Sequence, residues 1–457
     1  MTKFVERSRT FLNSYYYPLA IFLIALICHS LSIEVFGASL IISSVIIGLL
    51  TCDDLKFIIS PLIMFIMMFS EKSIMSGKFY TTPYIVAIII LAILLVGFFI
   101  AHFIIYRKSI DFKSFTKSKL FLGFVFLSVS FLLNGFLNFD EYVFGNFTYA
   151  LILVGSISLI FWLFYVNLKI TDSLKNYVFY ILYLTSLLVT IQLFLSFVHQ
   201  IEFNNGSIVK ETIRVGWGMW NNIGGMLAFL LPIHFYFAST VKKFGFIFYL
   251  TGGISFIAII LSLSRSSLLS GGITIVICAI VSCFVGVNKK INRILTLSAI
   301  ILCFVGIFIY WDKIASILND YLQRGLDDNG RFEIYEYGII NFFDNPIFGT
   351  GFYSDWAYDF QFIPFLPYRY HNTIIQMMGA CGIVGLFAYL WHRFETLELL
   401  WQKRSVYTLY MALAIGTLLF GSLLDNHFFN MYPTFIYSLL LVLLEKCSFD
   451  TDKKIDG

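Results

Sequence analysis

The chain has 457 residues, of which 59% are hydrophobic and only 13% charged. That balance excludes an ordinary soluble enzyme, in which about a quarter of the residues carry charge. The formal net charge of +4 is small, so the position of the charges says more than their sum.

Apolar runs fall near 18–33, 36–50, 57–70, 83–106, 120–137, 147–166, 177–198, 222–240, 244–263, 267–287, 294–311, 372–391, 405–424 and 433–445. Each can form a transmembrane helix, which needs roughly 20 residues. The pattern predicts an all-α polytopic membrane protein of about 12–14 transmembrane helices. The first two runs are short, which leaves open twelve full spans plus a re-entrant pair. The first run lacks a small-x-small exit and more runs follow it, so no cleavable signal peptide is expected. Arg107, Lys108, Lys113, Lys117 and Lys119 form one basic cluster, and Lys289, Lys290 and Arg293 another. The positive-inside rule then places these loops and both termini in the cytoplasm. The seven cysteines are scattered and form no CxxC pair, which reads as reduced core residues.

One connection is long: residues 312–371, expected on the outer face. Within it Arg331–Phe343 reads RFEIYEYGIINFF. Phe332, Tyr335, Ile339, Ile340 and Phe343 recur at helical spacing, as in an amphipathic helix lying on a membrane surface. Turn signals follow at Asn345-Pro346 and Gly349-Thr350-Gly351. No repeat or low-complexity linker divides the chain, so residues 1–457 are read as one membrane domain with this loop inside it.

The candidate site residues gather at the expected outer face. Arg214 precedes Trp217, Trp220, Asn221 and Asn222 at the entrance of a span. Arg214 could bind phosphate or sugar and Trp217 and Trp220 could stack on a sugar ring, with Asn222 a further substrate-binding candidate; for Trp220 the plainer reading is an interfacial aromatic belt. Arg265 sits in Ser264-Arg265-Ser266 between two apolar runs. An arginine there is costly unless paired, and Ser264 and Ser266 add hydroxyl donors; the alternative is a side chain snorkelling to lipid phosphates. Arg331 opens the surface helix, where helix N-terminus and guanidinium together suit an anion; the alternative is a loop arginine paired with Asp327 or Asp328. His371-Asn372 opens the next span. An imidazole there could take a proton from a hydroxyl, or simply anchor the helix. Asp425, Asn426 and His427 form a polar outer turn that reads as an acceptor contact or a plain loop. Nothing matches a Walker A loop, a Rossmann fingerprint or a zinc site. No cofactor, metal or nucleic-acid partner is expected. No span has an acidic residue near its centre and the inner halves look dry, which speaks against a transporter.

Five segments together resemble the O-antigen ligase and polymerase family of bacterial membrane glycosyltransferases. They are Arg214 with Asn221-Asn222; Ser264-Arg265-Ser266; Gly330-Arg331; Asn345-Pro346-Ile347-Phe348-Gly349-Thr350-Gly351; and His371-Asn372 followed by Gly382-Ile383-Val384-Gly385. The resemblance implies a glycan donor on undecaprenyl pyrophosphate at the outer face of the inner membrane, and a metal-independent, inverting transfer. It implies that Arg265 and Arg331 bind the pyrophosphate and His371 activates the acceptor hydroxyl. Beside these, Arg214, Asn222, Ser264, Ser266 and Asn372 are substrate-binding candidates. One departure is Ala380, where the family often carries an acidic residue. The expected partners are the lipid-linked donor, a glycan or lipid-linked acceptor, membrane lipids and, as an optional further partner, a chain-length regulator. The first expectation is a polymerase of lipid-linked repeat units for O-antigen or capsule. The alternatives are a ligase onto lipid A core and, in a different class, a lipid-linked glycan transporter.

Overall fold

The computed structural model describes residues 2–69, 84–138, 142–203, 214–215, 218–312, 315, 330–353 and 370–448. The described chain is almost entirely helical. That is what a hydrocarbon environment requires, because only a helix satisfies its own backbone groups without water or a neighbouring strand. In chain order the helices are α1 (Thr2–Leu12), α2 (Tyr16–Ser30), α3 (Glu34–Thr51), α4 (Ile59–Met68), α5 (Tyr84–Ile105), α6 (Phe121–Leu132), α7 (Phe144–Val154) and α8 (Ile160–Asn167). A π-turn at Gly155–Leu159 joins α7 to α8. Then come α9 (Leu174–Phe203), α10 (Trp220–Thr240), α11 (Gly245–Leu261), α12 (Arg265–Phe284), α13 (Lys289–Ile309), α14 (Arg331–Asp344), α15 (Thr373–Gln402), α16 (Val406–Leu424) and α17 (Met431–Lys446). A two-residue antiparallel pair, β1 (Arg214–Val215) with β2 (Gly218–Met219), precedes α10.

Every apolar run read from the sequence coincides with a helix, but several of the helices, α4 and α6 among them, are shorter than their runs. Among the described residues eight are long and apolar enough to cross a membrane, or nine if Lys3–Leu12 and Tyr16–Ser30, bent by 72°, form one span. The expected 12–14 full-length spans therefore include several partial ones. The helix α6 has 12 residues, roughly 18 Å at 1.5 Å per residue, well short of a hydrocarbon core of about 30 Å. Hydropathy measures how far apolar residues run, and it does not register where the helix stops.

At the centre is α10, in which every residue from Ile223 to Ser239 is buried. It is apolar all round because neighbours enclose it on all sides: α9, α11, α12 and α16. The helix α13 is its opposite, with Asn292 its one buried residue. A single buried apolar cluster extends from Leu12 to Cys447.

Two features position the candidate site. The helix α14 packs on α15 through its buried residues Gly338 and Asn341, while Phe332, Ile339, Ile340 and Phe343 face away from the bundle. The second is a break in α15 at Gly382 (φ 65°, ψ −158°). A break frees backbone groups that cannot go unpaired in a membrane. Residues 346–351 supply the partners: Ile383 N–H donates to Pro346 O and Val384 N–H to Ile347 O, while Thr350 and Gly351 donate to the carbonyls of Gly379 and Ala380. A Cβ on Gly382 would lie 2.3 Å from Ile347 O, and one on Gly349 2.4 Å from the Ala380 carbonyl carbon. Both glycine motifs thus build one joint between the loop and α15. Ala380 is fully buried inside that joint.

The expectation of dry inner halves is corrected here. The helix α15 does not end near residue 391 but runs to Gln402, and its C-terminal half holds buried His392, Arg393 and Glu395. Glu395 accepts from Gly123 N–H at 3.0 Å, in the first turn of α6 where amides lack helical partners. The Arg393 guanidinium lies 4.3–4.9 Å from the ring centres of Phe428, Tyr389 and Tyr437. Sequence alone hid these groups because part of their compensation comes from elsewhere in the fold: Gly123 on α6, Phe428 and Tyr437.

Candidate active site

Three helix N-termini carry the principal candidates: Arg265 opens α12, Arg331 opens α14, and His371-Asn372 immediately precedes α15. Each start has a local cause. Ser264 caps α12, its side chain accepting from Ser267 N–H. Gly330, at φ 73°, turns the chain into α14. Asn372 caps α15 by accepting from the N–H groups of Ile374 and Ile375 at 2.9 and 3.2 Å. Capping of this kind satisfies amides that no helical carbonyl reaches. Two of these starts carry non-glycine residues in the left-handed region, Leu263 at φ 56° and His371 at φ 53°. Such conformations cost about 1–3 kcal/mol and persist where the surroundings fix them.

A cleft of ≈ 870 Å³ brings the two arginines together. Arg265 and Arg331 line it with Ser266 and Leu424, and its wall is one face of α12: Leu268, Leu269, Gly272, Ile273, Val276 and Ile277. Those residues recur at three- and four-residue spacing, so an apolar strip runs along α12 away from Arg265. The cleft is cationic at one end and apolar along its length.

The C-terminus of α16 connects the cleft to His371. Arg331 Nη1 donates to the carbonyl of Leu424, and the next residue, Asp425, meets His371 Nδ1 at 3.0 Å. The Asp425 carboxyl is buried, which alone would raise its pKa. The hydrogen bond with His371 and the electrostatic influence of His427, His371 and Arg331 outweigh that burial and hold it below its usual 3.8. A carboxylate on Nδ1 fixes the imidazole's orientation and leaves Nε2 for other partners, the logic by which an acidic residue orients a catalytic histidine.

The remaining candidates divide. Ser266 lines the cleft. Ser264 is buried and contacts the hydroxyls of Ser266 and Ser267 at 3.3 and 2.8 Å, so it shapes the turn before Arg265. Asn222 accepts from Asn430 Nδ2 at 3.0 Å, which joins the start of α10 to the turn after α16. The Asn372 side chain is committed to its cap and to Leu423 O at 3.0 Å, a structural role. Arg214 lies on β1, paired with Met219 at the entrance of α10. Trp217, Asp327 and Asp328 lie outside the described residues. No group of three or more His, Cys, Asp or Glu side chains gathers to hold a metal among the described residues.

Sequence reasoning treated the 425–427 turn as a loop or an acceptor contact, and missed that Asp425 partners His371. The signal available was a polar triplet between two apolar runs; the pairing itself follows from how α15 and α16 pack.

Residues 250–390 match the family model described as O-antigen ligase, which supports the resemblance to the O-antigen ligase and polymerase family over this segment. The match contains Arg265, Arg331 and His371 and ends before Asp425. No curated protein matches the chain.

Proposed function

We propose that this multi-pass membrane protein, whose residues 250–390 match the family model described as O-antigen ligase, polymerises glycan repeat units carried on undecaprenyl pyrophosphate. The observation that carries the reading is one continuous arrangement: a cleft with two arginines at its head and an apolar strip along its length, one residue from a carboxylate-held histidine. A lipid pyrophosphate has the matching form, with a compact anion at one end of a long hydrocarbon chain.

The donor's pyrophosphate lies between Arg265 and Arg331, where two helix N-termini add positive potential to the two guanidinium groups. The prenyl chain follows Leu268, Ile273 and Val276 along α12 into the surrounding lipid. The acceptor hydroxyl oxygen attacks the anomeric carbon from the face opposite the leaving group, which inverts that centre. The new carbon–oxygen bond forms as the bond to the pyrophosphate oxygen breaks. The hydroxyl proton passes to His371 Nε2, and Asp425 stabilises the imidazolium that results. The negative charge left on the lipid pyrophosphate falls between the two arginines, so they act most strongly as the bond breaks. These steps use the chain's own side chains and call on no metal. The charge asymmetry of the loops supports a site on the outer face of the membrane, with both termini cytoplasmic.

The experiment supplies purified protein with the lipid-linked repeat unit alone and resolves the products by mass. A ladder of lengthening chains supports polymerisation. No ladder, followed by transfer once lipid A core is added, assigns ligation instead. Movement of the donor across a proteoliposome without elongation assigns transport.

A further inference from the structure

The geometry points to Gln376 as a positioning residue that holds His371 and Asp425 in register, an inference that rests on the reading of His371 as the base. Gln376 lies in the second turn of α15, with 1% of its surface exposed. Its Oε1 accepts two hydrogen bonds, from Tyr370 N–H at 2.9 Å and from Asn426 Nδ2 at 2.8 Å. Tyr370 directly precedes His371, and Asn426 directly follows Asp425. One oxygen therefore fixes a chain neighbour of each member of the pair.

The opposite flank is braced in the same way. Asn372, directly after His371, donates from its side chain to Leu423 O, two residues before Asp425. The imidazole–carboxylate contact is thus enclosed by two ties, one through Gln376 and one through Asn372. The His371 backbone needs such ties, because at φ 53° it lies in a region that side-chain-bearing residues rarely adopt. The Asn372 cap holds the chain on the α15 side of His371. On the other side Gln376 holds Tyr370, whose ring also packs against Gly338 and Gly379. Gln376 is not among the residues that line the cleft. Its loss should therefore disturb proton transfer and spare donor binding.

The test measures transfer from a polyprenyl-pyrophosphate-linked oligosaccharide by the full chain in proteoliposomes, separating kcat from the donor KM. Gln376→Met keeps the side-chain length and removes the strong acceptor. Gln376→Glu keeps the acceptor. The expected result is a kcat loss on the order of tenfold to a hundredfold for Gln376→Met, as an ångström-scale misplacement of a catalytic group produces. The donor KM should stay within about threefold, and Gln376→Glu should recover most of the rate. If Gln376→Met does not accumulate as folded protein, Asn426→Ala decides, since it removes one of the two ties; the expected result is a smaller kcat loss at unchanged KM. Unchanged kcat in both variants, or a parallel change in kcat and KM that Glu does not rescue, overturns the inference. His371→Ala is run beside them. If it retains transfer, the functional reading itself has failed; if it is inactive while Gln376→Met is normal, only the role of Gln376 has failed.

Discussion

His371 and Asp425 are 54 positions apart, and their side chains meet at 3.0 Å at the ends of two packed helices. The contact joins the proposed base to the cleft, because Leu424, next to Asp425, accepts the hydrogen bond from Arg331. Asp425→Asn keeps the shape of the carboxylate but can donate to Nδ1, which favours the wrong tautomer. The expected result is a kcat decrease of about 10²–10⁴, the upper figure being the loss seen for the corresponding change in a serine-protease triad. Steady-state transfer kinetics with a little-changed donor KM would check it.

The same carboxylate makes stability depend on pH. Its folded-state pKa lies below the 3.8 of the free group. A depressed carboxylate contributes stability that is fully present above the unfolded value and is lost as pH falls through the folded value. Asp425→Asn should therefore lower the melting temperature above about pH 5, where the carboxylate is ionised in both states. The gap should narrow as the pH falls below 3.8. Thermal unfolding in detergent from pH 3 to pH 7 measures this, and a gap that widens toward acid contradicts it.

The arginines should differ from lysines. Arg265→Ala and Arg331→Ala are expected to lower transfer on the order of 10² or more, as loss of a transition-state anion contact does. Lysine restores the charge without the planar fork, so each Lys variant should fall between wild type and Ala. Full activity in both Ala variants would remove the anion-binding role.

The apolar wall of the cleft has its own test. Ile273→Trp fills space between the α12 strip and the lipid chain. The donor KM should rise about tenfold, worth roughly 1.4 kcal/mol, with kcat retained. Ile254→Trp on α11, also at an exposed position but outside the cleft lining, should leave both constants unchanged. A short-chain prenyl donor should show little of the Ile273→Trp effect.

Gly382→Ala and Gly349→Ala should destabilise by about 2 kcal/mol or more, since each adds an atom against the backbone at a left-handed position. Gly253→Ala on α11, which meets nothing within 4 Å, should be neutral or slightly stabilising. Melting temperatures of the three variants decide the point.

Much of the site was legible because charge is rare in this chain. An arginine or histidine at the edge of an apolar run stands out, and counting runs gives it an expected side. Arg265, Arg331 and His371 stand out on those grounds, and the structure brings both arginines to one cleft. Asn372 was legible as a residue of consequence, but its cap geometry shows it holding α15. The Asp425 partnership depends on the packing of α15 against α16, which no local pattern records. The break at Gly382 was hidden for a related reason: a Gly-Ile-Val-Gly run within an apolar stretch carries no local sign of an interruption. Only the hydrogen bonds from residues 346–351 reveal an interrupted helix. Helix lengths were overestimated where apolar side chains continue past the last helical turn, as at Leu133–Leu137 after α6.

The central claim is that His371 removes the acceptor proton during transfer from the lipid pyrophosphate. The most direct measurement follows glycosidic bond formation from a polyprenyl-pyrophosphate-linked repeat unit by wild-type and His371→Ala protein, both shown to be folded by their melting curves. The account predicts chain extension by the wild type and a rate lower by about 10²–10⁴ in His371→Ala, the range for loss of a general base. A folded His371→Ala protein that extends chains at the wild-type rate would contradict it.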